Sequence, residues 1–216
     1  MAIKYCIFDV GEVCYPYSLD PLNYYCEKNT NDKEKFIEKH GVKSFDYSPF
    51  MRGEISFEQF AKDLCEHCDI NYLPRHKIAF NREMHRGVGD FFEQTMRAMD
   101  NLEKQKIEIC LLSNALPNLS DTGPKQIKPE NSFASFMLGM LKPDVMIYKT
   151  VLQKLGAKPE EVIFVDDKPK NVEAAKSVGM HGIVFDKNTI NRELKKIIRQ
   201  ESKNKIIFSQ KQSYQR

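Results

Sequence analysis

Five short apolar runs constrain the fold more than any other feature of the chain: Ile3–Phe8, Ile107–Leu112, Phe133–Leu138, Val162–Val165 and Ile183–Phe185. They are near-continuous rather than alternating, and rich in Ile, Val and Phe, the pattern of parallel strands covered on both faces. Helical stretches separate the later runs. Pro143–Leu155 spaces Ile147, Val151 and Leu155 four apart, opens on a Pro at a first helical position and stops before Gly156. Pro169–Val178 repeats the plan and stops before Gly179, and Asn188–Gln200 sets Ile190, Leu194, Ile197 and Ile198 on one face. Strand and helix alternating from residue 107 onward predict an α/β fold, a doubly wound, mainly parallel Rossmann-like sheet.

Residues 16–86 break that rhythm. Strand signals are sparse and helical ones dominate. Ser56 and Gln59 make a capping-box pattern, and Phe57, Phe60, Ala61, Leu64, Cys65 and Cys68 then fall on one helical face. A further helix with Phe91, Phe92, Thr95, Met96 and Met99 leads back to the second strand. The expected organisation is a sheet core from 1–15 and 87–200, a helical insert over 16–86 and a basic tail over 201–216. A chain of 216 residues suits one domain with an insert.

From Lys187 to Arg216 there are nine Lys/Arg and two Asp/Glu, a surplus of seven, so with a net charge of +3 the rest of the chain is about four units negative. A basic terminal stretch alone is a weak signal for nucleic acid, and no nucleic-acid partner is expected. No apolar run approaches the ~18 residues of a membrane span, so no membrane association is expected. The opening MAIKYCIF reads as a strand rather than a leader, and the expected location is cytoplasmic. Six scattered cysteines, with Cys6 and Cys110 inside strand-like runs, suit reduced buried thiols. Cys65-x-x-Cys68 with His67 lacks a second ligand pair at suitable spacing, and its cysteines share the apolar helix face, which favours a core role over zinc.

Open α/β sheets bind ligands beyond the carboxyl ends of their strands. Asp9 follows the first run, Ser113 and Asn114 the second, Lys142 comes soon after the third, and Asp166-Asp167 follow the fourth. Acid groups, a hydroxyl and a lysine would thus line one rim. Carboxylates alone repel a phosphoryl group, but carboxylates holding Mg²⁺ attract it, because Mg²⁺ takes oxygen ligands and commonly keeps waters and a substrate phosphate. Lys142 adds a point charge, Ser113 a donor, and the backbone N–H groups of Val10 and Gly11 in the turn after Asp9 add more. One carboxylate can serve as a nucleophile toward phosphorus.

In order and spacing, Asp9 in FDVGEV, Ser113 in LLSNA, Lys142 in LKPD and the acid pair in FVDDKPKNVEAAKSVGM resemble the four motifs of the haloacid dehalogenase superfamily, over about residues 3–185. The insert is similar to the helical cap of that superfamily, and MRGEISFEQFA resembles the cap of a bacterial subgroup that includes a glucose-1-phosphate phosphatase. The resemblance implies Asp9 as nucleophile and Mg²⁺ ligand, the Gly11 carbonyl as a second ligand, and Asp166 and Asp167 completing the metal site. It also implies that Ser113, Asn114, Lys142 and the Val10–Gly11 turn hold the phosphoryl group of a small phosphorylated substrate, a sugar phosphate above all. The first strand would then lie between the second and fourth.

The usual first motif of the superfamily is Asp-x-Asp, whose second Asp protonates the leaving group and then activates water. Here that position is Gly11. Loss of a positioned acid/base typically removes roughly 10²–10⁴-fold in rate, yet the subgroup resembled also tends to carry Gly there. Two readings therefore stand: a Mg²⁺-dependent phosphatase of reduced power, or a catalytically weak or inactive relative that binds a phosphorylated ligand or a protein partner. A dehalogenase would leave the acid pair without a purpose. Glu12 either supplies the missing carboxylate or merely tolerates the turn. Tyr15, Tyr17, Tyr47 and Arg52 are the insert residues that could face a substrate.

Overall fold

The computed structural model describes residues 2–119 and 131–213, with side chains through Lys203. Five strands, β1 (Tyr5–Phe8), β2 (Glu108–Ser113), β3 (Ser132–Ala134), β4 (Val162–Asp166) and β5 (His181–Val184), form one sheet in the order β3-β2-β1-β4-β5. Every pairing is parallel, and β1 is central, with Ile7 opposite both Cys110 and Phe164. The expected sheet, with the first strand between the second and fourth, is therefore the one observed.

Alternation along β1 sends Cys6 and Phe8 to one face and Ile7 to the other. The first face packs on α6 (Glu93–Glu103) through Ala98, Met99 and Leu102, and on α10 (Ile190–Ser213) through Ile190 and Leu194. The second packs on α8 (Val145–Leu155) through Ile147, Tyr148 and Val151, and on α9 (Pro169–Ser177) through Ala175. Apolar side chains on both sides of each central strand account for its unbroken apolar run.

Residues between β1 and α6 form five helices: α1 (Asp20–Asn29), α2 (Lys33–Glu38), α3 (Ser48–Met51), α4 (Phe57–His67) and α5 (Pro74–Arg86). They enclose a separate apolar cluster that includes Leu22, Phe36, Phe60, Leu64, Phe80 and Met84. Ser56 accepts a hydrogen bond from the Gln59 N–H at 3.1 Å, while the Gln59 side chain turns to Asp63 instead of closing the box. Two connections join this unit to the sheet side by side. The Ser18 N–H bonds the Gly87 carbonyl and the Gly89 N–H the Pro16 carbonyl, both at 2.9 Å.

Some element boundaries differ from expectation. The run Phe133–Leu138 is a strand only to Ala134 and then turns into the one-turn helix α7 (Ser135–Leu138). Pro143 precedes its helix rather than opening it, because the Asp144 carboxylate accepts the Met146 N–H at 2.8 Å and caps α8 one residue later. The last strand starts at His181, two residues before the expected run. On α6 Met99 is buried and Met96 exposed. The terminal helix continues past residue 200 to Ser213, and the basic side chains of the expected tail beyond Lys203 lie outside the described residues. Among the described residues no helix is long and apolar enough to cross a membrane.

Candidate active site

Parallel pairing brings the carboxyl ends of β1, β2 and β4 together, and the polar residues that follow them converge. Asp9 leaves the end of β1 with its N–H on the Val165 carbonyl at 2.8 Å. Its carboxylate is buried and accepts the Val10 N–H at 2.7 Å. Asp166, the last residue of β4, is wholly buried, and Asp167 is partly so. One carboxylate oxygen from each of Asp9, Asp166 and Asp167 lies within 4.8 Å of the other two. Among the described residues this is the sole group of three or more acidic, His or Cys ligands that close, so Cys65 and Cys68 take part in no such group.

Lys142 comes in from the segment before α8 and ends between two of these acids. Its Nζ lies 2.8 Å from Asp9 Oδ1, 2.7 Å from Asp166 Oδ2 and 2.8 Å from the Leu112 carbonyl oxygen. An ammonium has three N–H donors, and all three have acceptors here. Its position is set by Asn114: the Asn114 amide accepts the Lys142 N–H and donates to the Lys142 carbonyl, both at 2.9 Å. Asn114 thus spends both ends of its side chain on the Lys142 backbone, a use the sequence does not announce. Ser113 ends β2 half-buried at the same rim.

Asp166 is fixed from every side. Asn171 Nδ2 donates to both of its oxygens, at 2.9 and 3.0 Å, and the Lys168 N–H donates to Oδ1 at 2.9 Å. The buried Tyr148 hydroxyl donates to the Asn171 carbonyl at 2.9 Å, so α8 braces the first turn of α9. In the sequence Asn171 stands in the motif that carries the acid pair, whereas Tyr148 gives no signal beyond its place on an apolar helix face. By contrast, Asp167 Oδ1 is buried with no hydrogen-bond partner. Burial, above all, holds the Asp9 carboxyl above its ordinary range, against the pull of Lys142 and with a push from Asp166. Asp167 is raised as well, first by burial, with Lys168 opposing and the Asp9 and Asp166 charges adding to it. Carboxylates crowded in a water-poor rim, one with an orphaned oxygen, suit a hard divalent cation.

Gly11 lies in the turn beyond Asp9. A Cβ built there would meet nothing closer than Tyr17 Cβ at 4.0 Å, an ordinary contact. Glu12 takes the left-handed conformation at φ 61°, and its exposed carboxylate accepts the Tyr17 N–H at 2.7 Å. It is engaged at the connection to the helical unit rather than among the acids. Of the other residues in question, Tyr15 is buried in the sheet core, the Tyr47 hydroxyl donates to the Val42 carbonyl at 3.0 Å, and Arg52 pairs with Glu54 at 2.6 Å.

Residues 3–179 match the family model of the haloacid dehalogenase-like hydrolases. The chain belongs to that family. It is 28% identical to pig bifunctional epoxide hydrolase 2 over 91% of its own length, but spans only 39% of that relative. It is 23% identical to the D-ribitol-5-phosphate phosphatase of Bacteroides thetaiotaomicron, over 82% of this chain and 89% of that one. Among solved structures, a haloacid dehalogenase family enzyme of Bacteroides thetaiotaomicron, in complex with magnesium and inorganic phosphate, superposes with a TM-score of 0.67 at 19% identity, covering 85% of this chain and 94% of that one. The fold is common to the two.

Proposed function

We propose that this protein is a Mg²⁺-dependent phosphatase of a small phosphomonoester, a sugar or sugar-alcohol phosphate. The observation that carries the proposal is the partnerless buried oxygen of Asp167, set beside Asp9 and Asp166 with their oxygens within 4.8 Å. Asp9, Asp166, Asp167 and the Gly11 carbonyl would hold Mg²⁺, which when bound supplies positive charge to the phosphoryl oxygens. The D-ribitol-5-phosphate phosphatase, one of the phosphatases among the relatives, supports the substrate class.

Asp9 is the nucleophile. One carboxylate oxygen bonds phosphorus as the bond from phosphorus to the alcohol oxygen breaks, giving an aspartyl-phosphate and the free alcohol. Water then attacks that phosphorus, releasing inorganic phosphate and restoring Asp9. Ser113 and the Gly11 N–H donate to the phosphoryl oxygens, joined by the Val10 N–H as it gives up its bond to the Asp9 carboxylate, and Lys142 balances the charge of Asp9 and Asp166. Asn114 acts through the backbone of Lys142, and Asn171 holds Asp166 in place. Because Gly11 carries no acid, the departing oxygen takes its proton from water, which slows release of a sugar or sugar-alcohol oxygen, a poor leaving group. In this reading residues 16–86 are a cap over a core of 1–15 and 87–200.

The test is phosphate release from a panel of phosphomonoesters, with Mg²⁺ and with a chelator, for the wild type and Asp9→Asn. Turnover that needs Mg²⁺ and falls by roughly 10³-fold or more in Asp9→Asn is expected. The vacant side chain at Gly11 favours a second reading, a binding protein for the same esters; Mg²⁺-dependent binding without turnover in the wild type would establish it.

A further inference from the structure

Four side chains of the connection and helical unit were candidates to meet a substrate, and three of them have partners. Tyr15 is buried in the sheet core, Tyr47 is bonded to Val42, and Arg52 to Glu54. Tyr17 differs. Its hydroxyl is buried and has no hydrogen-bond partner. A buried donor left unsatisfied costs stability, and such a group in a well-packed structure commonly marks the place of an unseen partner.

Its position says which partner. Tyr17 Cβ stands 4.0 Å from where a Gly11 Cβ would be, two residues along the chain from Asp9. Its backbone is held twice: the N–H bonds the Glu12 carboxylate, and the residue bridges antiparallel to Val88 on the returning connection. Its phenol interacts electrostatically both with Tyr47, beside α3, and with Tyr15 of the sheet core. Tyr17 therefore stands beside the turn after Asp9, on the connection into the helical unit. Burial pushes the phenol up to about 12, so at neutral pH it stays protonated and acts as a donor.

We propose that Tyr17 is a specificity residue whose hydroxyl donates a hydrogen bond to a neutral oxygen, hydroxyl or carbonyl, on the alcohol portion of the substrate. The inference rests on the phosphatase reading for where the ester binds, and it deepens that reading by requiring an oxygenated leaving group. A phosphate ester with a bare hydrocarbon or aryl group would leave the hydroxyl orphaned and gain nothing from it.

Tyr17→Phe removes one oxygen and keeps the ring. Calorimetric titration is made on Asp9→Asn and on Asp9→Asn with Tyr17→Phe, both in Mg²⁺, using ribitol 5-phosphate, phenyl phosphate and inorganic phosphate. The expected result is about tenfold weaker binding of the polyol phosphate, with phenyl phosphate and inorganic phosphate within twofold. Equal losses for all three ligands, or no loss for the polyol phosphate, overturn the proposal. Thermal unfolding of the ligand-free proteins gives the second readout. Tyr17→Phe leaves Tm unchanged or higher if the hydroxyl is orphaned, and a lower Tm overturns the proposal by revealing a partner within the protein. Turnover by the wild type is measured separately, so selective binding without catalysis removes the phosphatase reading and leaves this one standing.

Discussion

The Lys142 ammonium lies 2.7 Å from Asp166 Oδ2, with both side chains shut off from solvent, and it reaches Asp9 at 2.8 Å as well. One cation therefore balances two buried acids that belong to different strands. Removing one member of a buried pair leaves charge uncompensated and costs about 3–5 kcal/mol. Lys142→Met is expected to lower the unfolding free energy by that order in a chelator. Saturating Mg²⁺ should restore part of the loss, because a second cation replaces the first. Urea titrations of both proteins, with and without Mg²⁺, give the comparison; no stabilisation of either protein by Mg²⁺ would show that the acids hold no metal.

Asp167 gives a pH dependence. Its carboxyl is raised in the folded protein above the ordinary value of 3.8, burial being the first cause. As pH rises past that value the unfolded chain loses its proton first, so the native state loses stability until its own raised pKa is passed and carries a constant penalty above it. Asp167→Asn removes that penalty. In a chelator the variant should match the wild type at the acid end, below the ordinary value, and exceed it in Tm at pH 7. In Mg²⁺ the order should reverse, since the wild type alone gains a full set of oxygen ligands. A variant no more stable than the wild type at pH 7 without metal would refute the raised pKa.

Gly11 has room for a Cβ. The nearest atom to its virtual Cβ is at 4.0 Å, an ordinary contact, and its backbone is not in the left-handed region. Gly11→Asp should therefore fold with Tm close to that of the wild type. A positioned acid/base contributes roughly 10²–10⁴-fold, so kcat on esters of poor leaving groups should rise about 10- to 100-fold, with little change for p-nitrophenyl phosphate. Steady-state rates on the two substrate classes test it, and a fall in both would mean that the site has been built around the glycine.

The sheet was legible because each central strand is covered on both faces and must be apolar throughout. The polar residues that end β1, β2 and β4 were legible because parallel strands deliver their carboxyl ends to one rim. Local chemistry moved the boundaries. Ser135 looks like part of a strand in an apolar run, yet its hydroxyl bonds the Met51 carbonyl and the chain turns there. Pro143 looks like a helix start, but Asp144 is the better cap. The supports of the site were the least legible. Asn114 holds Lys142 across 28 residues and Tyr148 braces Asn171 across 23, and hydrogen bonds of that span leave no periodic trace in a sequence. Glu12 shows the converse, since its left-handed turn was foreseeable and the use of its carboxylate on the Tyr17 N–H was not.

The contact between the helical unit and the sheet gives the last prediction. Ser135 Oγ donates to the Met51 carbonyl at 2.7 Å and accepts the Ala115 N–H at 3.0 Å, tying the end of α3 to the loop after β2. Beside it, Gly53 sits at φ 71°, and a Cβ there would fall 2.7 Å from the Phe136 carbonyl oxygen. Backbone cannot yield as a flexible side chain can, and the left-handed conformation alone costs a non-glycine residue about 1–2 kcal/mol. Gly53→Ala must therefore either pay that cost in place or lift the α3 end off α7. Ser135→Ala leaves a buried N–H and carbonyl without partners, which costs about 1–3 kcal/mol. Both variants should unfold at lower urea, and, if the helical unit is the proposed cap, both should raise KM more than they lower kcat, because they loosen that unit and leave Asp9, Lys142 and Asp166 untouched. Hydrogen exchange at α3 and α7 localises the effect: protection lost there and kept in β1 and β4 is the expected pattern. Uniform loss across the sheet would mean that the two parts unfold as one.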